Sequence, residues 1–307
     1  MLDIERALNN DRLLRSLSGL NRQAFDELLP AFERAYLAAQ NHQTLAGRPR
    51  QRAAGGGQKG QLGESQSKLF LLLVYFKCYP TFDVLGFLFD LDYSRANRWV
   101  HRLQPMLEVA LGEKLALPER KIDSVEAFIE RFPSVKTVMI DGTERPIARP
   151  QDKESQKDNY SGKKRRHTRK HLGATDEKKR VLILTPAREG KVHDKRLLDQ
   201  TQIAQTIPDE IPIALDLGFQ GLQNEVVQVR IPHKKPRGGS LTDDQKRENR
   251  QLSQERVVCE NAFAGVKRYR AVAEVYRNRV SGFDDHLMLT ACGLWNFYLS
   301  SCLRLTE

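Results

Sequence analysis

Three acids in this chain stand where carboxylates can do phosphate chemistry. Asp141 closes the apolar run Val138-Met139-Ile140 and Asp216 closes Ile213-Ala214-Leu215; both runs read as strands. Parallel and mixed sheets carry functional groups where their strands end. Glu260 lies instead in a long helical segment, where Arg256, Glu260 and Lys267 fall within roughly 40° of one another on the helix wheel. Val258, Ala262 and Gly265 lie on the opposite side, the expected packing face. Two Mg²⁺ ions roughly 4 Å apart need several oxygen ligands on rigid elements, with positions open for a phosphodiester, and three carboxylates are a minimal set. One ion would activate a water or a 3′-hydroxyl and the other steady the leaving oxygen, while Lys or Arg holds the backbone. Each acid alone has a plainer reading. Asp before Gly often makes a turn, Asp at a strand end is common, and a helical Glu among cations forms salt bridges.

The elements that must hold these acids begin near Val135, where the period of the sequence changes. KTVMIDGTERPIARP reads as a strand ending at its acid. Arg166 to Ala174 and VLILTP supply two more strands, joined around Asp176-Glu177-Lys178. Lys191 to Ile207 reads as helix or helix-loop, IPIALD and Val226 to Ile231 as short strands, and Thr242 to Arg270 as a long helix. This order predicts an α/β or α+β domain around a mixed sheet. The helix Asp284 to Leu303 is apolar on several faces and is expected to pack against that sheet.

The first half is helical. Phe25, Leu28, Leu29 and Phe32 recur at spacings of three and four. The domain plan is a helical segment 1–46, a flexible Gly/Arg-rich linker 47–63, a helix-turn-helix 64–115, and a catalytic domain 135–303. Within 64–115, Thr81 caps a short helix, Asp90-Leu91-Asp92 turns, and Ser94 caps a longer helix. That last helix would enter the major groove with Arg95, Asn97, Arg98, His101 and Arg102; a plain three-helix bundle with solvated arginines gives the same pattern. Trp99 reads as core.

Two basic clusters flank the acids. Lys163, Lys164 and Arg165 form a turn suited to phosphate contact, whereas the following Arg166 to Gly173 strand would put its cations on both faces. IPHKKPRGG is a loop whose His233, Lys234, Lys235 and Arg237 could guide DNA, extended by Lys246, Arg247 and Arg250. Such contacts position DNA without specifying sequence.

These motifs together resemble the bacterial insertion-sequence transposases of the large DDE class, in the group with an N-terminal helix-turn-helix. The resemblance rests on Asp141-Gly142-Thr143, Asp216-Leu217-Gly218-Phe219, the Arg256/Glu260/Lys267 helix, and the segments DGTERPI, YSGKKRRH and VCENAFAGVKRYR, over roughly residues 64–300. It implies an α/β ribonuclease-H-like core, a mixed five-stranded sheet with flanking helices. It also implies that Asp141, Asp216 and Glu260 are catalytic and bind two Mg²⁺, with Mn²⁺ able to substitute. Arg256 and Lys267 would contact DNA. The implied partners are double-stranded DNA, as transposon ends and target, and a homodimer or higher assembly on it. The implied reaction is hydrolysis at the terminal inverted repeats followed by strand transfer. A domesticated, non-transposing nuclease or DNA-binding protein of the same fold is the alternative. Ser253 stands where some relatives carry a tyrosine. The 43 residues between Asp216 and Glu260 contain no tryptophan, so base flipping by an inserted tryptophan is unsupported.

Composition agrees with these partners. The net charge is +11 over 307 residues, which favours polyanions. Residues 137–307 hold 31 basic and 23 acidic residues, against 19 and 16 before them, so most of the excess accompanies the three acids. The four cysteines form no CxxC pair and are expected as buried free thiols rather than a zinc site. The first twenty residues lack a continuous apolar core and the most apolar stretches are short or interrupted, so the expectation is a bacterial cytoplasmic protein with no membrane partner.

Overall fold

Short polar side chains set the helix starts of the N-terminal region in the computed structural model, which describes residues 1–42, 51 and 62–303. Asp3 caps α1 (Ile4–Leu8), accepting from Arg6 N at 2.9 Å, and Asn10 caps α2 (Asp11–Ser18). The chain then forms α3 (Arg22–His42), α4 (Ser65–Cys78), α5 (Phe82–Phe89) and α6 (Tyr93–Glu113). Nearly all of the expected linker 47–63 lies outside the described residues.

The helix-turn-helix is α5, a three-residue turn and α6. Thr81 caps α5 as its position suggests, through Val84 N at 3.3 Å. Asp90 takes a left-handed φ of 56° and ends it. The cap of α6 is Asp92, which accepts from Arg95 N at 2.8 Å, and not Ser94, which lies inside the helix. Asp92 carries extended backbone angles and Ser94 helical ones, and only the former suits an N-cap. Beneath the turn, Phe70, Leu73, Leu85, Val100, Leu103 and Leu107 are fully buried.

Two compact units result. One comprises Met1–Leu117, Val266–Glu274 and His286–Glu307; the other comprises Pro118–Gly265 and Val275–Asp285. The C-terminal helix α12 (Phe283–Leu303) therefore departs from expectation, because from His286 onward it belongs to the helical unit and not to the sheet. Its Thr290 accepts from Gln104 of α6 at 2.9 Å, its Asn296 donates to Ala116 O at 2.9 Å, and Leu287, Ala291 and Leu294 are fully buried. An all-round apolar helix reveals that it is buried, not which partner buries it.

The second unit is built on a mixed sheet. After α7 (Val125–Arg131) come β1 (Val138–Pro146), α8 (Lys153–Asn159), β2 (Tyr160–Ser161), β3 (Arg166–Asp176), β4 (Val181–Leu184) and β5 (Arg188–Glu189). Then follow α9 (Asp194–Thr201), β6 (Ile213–Ala214), β7 (Val229–Arg230) and the long α10 (Asp243–Lys267), after which the single-turn α11 (Arg270–Ala273) belongs to the helical unit. Five strands run in the order β4-β3-β1-β6-β7, with β3 antiparallel to β1 and β4, and β6 and β7 parallel to β1 and β6 respectively. The short β2 and β5 add to β3. This is the expected mixed five-stranded sheet with flanking helices. Asp176 closes the β3–β4 turn, accepting from Lys178 N at 3.0 Å and Arg180 N at 2.8 Å.

Side-chain alternation splits the core into two layers. Val138, Ile140, Leu172, Ala174, Ile213 and Leu215 pack with Leu197 and Leu198 of α9 and Phe128 of α7. Met139 and Ala214 pack on the other face with Leu252, Cys259 and Phe263 of α10. By the two-residue period, Asp141 and Asp216 share the face of Met139 and Ala214, toward α10.

Candidate active site

Where β1 and β6 part company, two acids stand side by side. The parallel register pairs Val138 with Ile213 and Met139 with Ala214; continued by two residues it sets Asp141 against Asp216. β1 itself does not end at Asp141, as the sequence suggests, but continues to Pro146 because β3 pairs with it over its whole length. The end that matters is that of β6, and a chain leaving a sheet there opens a crevice.

Each aspartate is held by its own backbone. Asp141 Oδ1 accepts from Gly142 N at 2.8 Å. Asp216 caps the turn Leu217–Phe219, accepting from Gly218 N at 2.7 Å. A Cβ at 218 would lie 2.8 Å from that same carboxylate oxygen, so the glycine in the Asp-Leu-Gly triplet keeps the turn closed on Asp216. Gly173, the β3 partner of Asp141, does a comparable job: a Cβ there would come within 2.4 Å of the Phe263 ring. Its absence lets α10 press onto the sheet beside Asp141.

The electrostatics tie these groups together. Burial pushes the Asp141 carboxyl above its ordinary value, and the neighbouring Asp216 charge pushes in the same direction. The Gly142 N–H and the charges of Arg256 and Lys163 oppose them. On α10, Cys259 is 2% exposed, and burial raises its thiol to about 12. The Asp141 and Glu260 charges add to that rise, so both acids lie within electrostatic reach of this one residue. The Cys259 side chain packs in the apolar layer with Met139, Ala214 and Phe263. The remaining donors are hard carboxylate oxygens, and two adjacent ones that resist sharing negative charge fit a divalent cation such as Mg²⁺ or Mn²⁺. Among the described residues, no three His, Cys, Asp or Glu side chains are grouped to hold a metal ion, and Glu260 is exposed on α10.

The structure thus brings Asp141, Asp216, Arg256 and Lys163 into one electrostatic neighbourhood, with Glu260 next in sequence to Cys259. Packing of α10 rests on Leu252, Cys259, Ala262, Phe263 and Val266, with Val258 partly buried and Gly265 half-buried. Lys163, Lys164 and Arg165 are exposed on the β2–β3 turn, where Arg165 takes a φ of 51°. Of the β3 cations Arg166 stays exposed, whereas Arg169 and Lys170 engage acids. Lys170 is 7% exposed and pairs with Asp194 at 2.8 Å and Glu144 at 3.5 Å, and Arg169 pairs with Glu189 and Asp284. His171 is buried, its Nε2 at 3.0 Å from Asp285. Lys234, Lys235 and Arg237 are exposed on the β7–α10 loop, while Lys267 is half-buried at the last turn of α10.

On α6, Arg95 and Arg98 are exposed, and Asn97, His101 and Arg102 are half-buried. Arg95 pairs with Asp92 at 3.1 Å. Arg102 lies over the rings of Trp99 (5.6 Å) and Tyr36 (5.8 Å), and His101 packs against Phe82. Trp99 is therefore a half-buried platform for cations of its own unit. Tyr93, 53% exposed at the first position of α6, escaped sequence reasoning; its place directly after the Asp92 cap was the available signal.

Comparison with known proteins bears on both units. Residues 140–296 match the family described as DDE superfamily endonuclease, and residues 60–113 match the helix-turn-helix of DDE superfamily endonuclease. The chain is 29% identical over 236 residues to the probable transposase for insertion sequence element IS702 of Microchaete diplosiphon, covering 76% of this chain and 81% of that protein. No solved structure matches.

Proposed function

Because the chain belongs to the DDE superfamily endonucleases and carries their helix-turn-helix, we propose that it binds the terminal inverted repeats of its own insertion sequence, cuts a phosphodiester at each, and joins the ends to target DNA. The observation that carries this reading is the parallel register of β1 and β6, which continued two residues sets Asp141 against Asp216, with the Asp216 and Arg256 charges in reach of Asp141.

Asp141 and Asp216 would hold the divalent cation, with Glu260 completing the ligand set from α10. Two Mg²⁺ ions are the proposed complement, and when bound they would supply Lewis acidity toward phosphate oxygens. Water attacks phosphorus in the first reaction and a 3′-hydroxyl leaves; in the second, that hydroxyl attacks a target phosphodiester and releases the target's own 3′-oxygen. Arg256 holds the backbone near the acids, Lys267 contacts DNA, and Lys163, Lys164 and Arg165 with Lys234, Lys235 and Arg237 track the strand. Arg95, Asn97, Arg98, His101 and Arg102 read the end sequence from α6. Paired ends call for at least a homodimer on the DNA.

The decisive experiment supplies Mg²⁺ or Mn²⁺ and DNA bearing the element ends. Asp141→Asn, Asp216→Asn and Glu260→Gln should each abolish cleavage and leave end binding intact. An unaltered cleavage rate in any one of them removes that residue from the assignment. Short inverted repeats should bracket the reading frame.

A further inference from the structure

At the β7 edge of the sheet lies a hollow of which the reaction as described uses only the rim residue Lys234. A cavity of about 540 Å³ lies between β7 with its following loop and α10. It is continuous in sequence with the acid site at two points. Gln220 directly follows the turn capped by Asp216, and Leu252 is one helical turn ahead of Arg256. Pro232, just past β7, has no N–H to donate at this edge of the sheet.

The lining has a definite chemistry. Leu252 and Val229, each 8% exposed, give it an apolar floor. Gln220 and Gln251 are exposed in its walls, and neither side-chain amide has a protein partner among the described residues. Each amide offers an acceptor oxygen and two donor hydrogens. The acids in the wall are already engaged, Glu248 by His233 at 2.5 Å and Glu255 by Arg230 at 3.0 Å. Lys234 has no ion-pair partner among the described residues, so it offers an unmatched ammonium at the rim. The wall is also braced: Asn249 accepts from His233 N at 2.7 Å and donates to His233 O at 3.0 Å.

An apolar floor, free amides and one unpaired ammonium match the three parts of a nucleotide: the face of a base, its hydrogen-bonding edge and its phosphate. A base inside a duplex has its faces covered by stacking and its edge by pairing, so only an unpaired one can use the floor and the amides together. We propose that this hollow receives one unpaired nucleotide of the DNA strand that passes Asp141 and Asp216. It does so without an aromatic platform, through amides and aliphatic surface. The inference rests on the reading of those acids as the cutting site.

The test uses the full chain and two DNAs, a forked duplex with a short single-stranded arm carrying 4-thiothymine, and the same duplex fully paired. Wild type should bind the fork more tightly, and light should cross-link the arm to peptides containing Gln220 or Gln251. The double substitution Gln220→Ala with Gln251→Ala should weaken fork binding about tenfold, as expected for the removal of two hydrogen bonds, and leave binding of the paired duplex unchanged. Retained paired-duplex binding also shows that the variant is folded. Equal weakening on both DNAs, no weakening, or cross-links confined to other peptides overturns the proposal. Asp216→Asn should keep the fork preference while losing cleavage. If it continues to cut, the acid assignment fails, whereas absence of the fork preference with cleavage still dependent on Asp216 fails this inference alone.

Discussion

At the scale of single residues, a partly buried His171–Asp285–Arg120 cluster shows how the sheet unit holds charge. Burial holds the His171 imidazole below its ordinary value, against the pull of Asp285. Its Nδ1 is buried without a hydrogen-bond partner among the described residues, so a second ring proton would find no acceptor. For Asp285, burial alone would raise the carboxyl; hydrogen bonds from His171 and Arg120 (2.6 Å) and the Arg120 charge overrule it and hold it below the usual carboxylate range. Both shifts act with the same sign. Below the unfolded imidazole value of about 6.5 the unfolded chain takes up a proton that folded His171 resists, and further acid removes what Asp285 contributes. Stability should therefore fall as the pH drops from 7 toward 4. His171→Asn should flatten the upper part of that slope, read as melting temperature against pH; an unchanged profile would rule out His171 as the titrating group. Asp141 and Asp216 were legible in the sequence, since each closes an apolar run and the register of β1 and β6 brings the two runs together, whereas no third acid is grouped with them among the described residues. Gly173 was not legible, because its requirement comes from Phe263, ninety positions away in the chain.

At the scale of elements, periodicity located most helices and strands but not their partners. The run ending at Asp141 reads as a finished strand because the residues after it are polar, yet β3 supplies a ladder as far as Pro146. Glu144 and Arg145 are buried or half-buried there for that reason, a long-range pairing that local pattern cannot contain. Helix starts are subtler still. Asp92 and Ser94 are both good N-caps by type, and only the backbone distinguishes them. Asp92→Ala should cost about 1 kcal/mol, lowering the melting temperature and weakening end binding, whereas Ser94→Ala should leave stability nearly unchanged. Thermal denaturation of the two variants side by side decides it; equal losses would contradict the assigned cap.

For the whole molecule, excess positive charge becomes a question of how many phosphates are held. Each phosphate that is no longer neutralised should lower the slope of log affinity against log salt by about one. Replacing Lys163, Lys164 and Arg165 by alanine should lower that slope by about three and weaken binding of matched and scrambled DNA alike. Arg98→Ala should instead narrow the gap between matched and scrambled ends. A salt titration on both DNAs separates the two, and an unaffected slope in the triple variant would remove that turn from the DNA path. No helix among the described residues is long and apolar enough to cross a membrane.

The route of the chain between its two units has a consequence for how the protein is made. The helical unit takes a core helix from His286 onward, where Leu287, Ala291, Leu294 and Phe297 are buried. On the ribosome, the segment that reads DNA emerges early but waits until the whole sheet unit has been synthesised before its own interior is filled. A product terminated within the sheet unit would lack that filling. Completion of the DNA-reading unit is thereby coupled to translation of the cutting centre, which always precedes it.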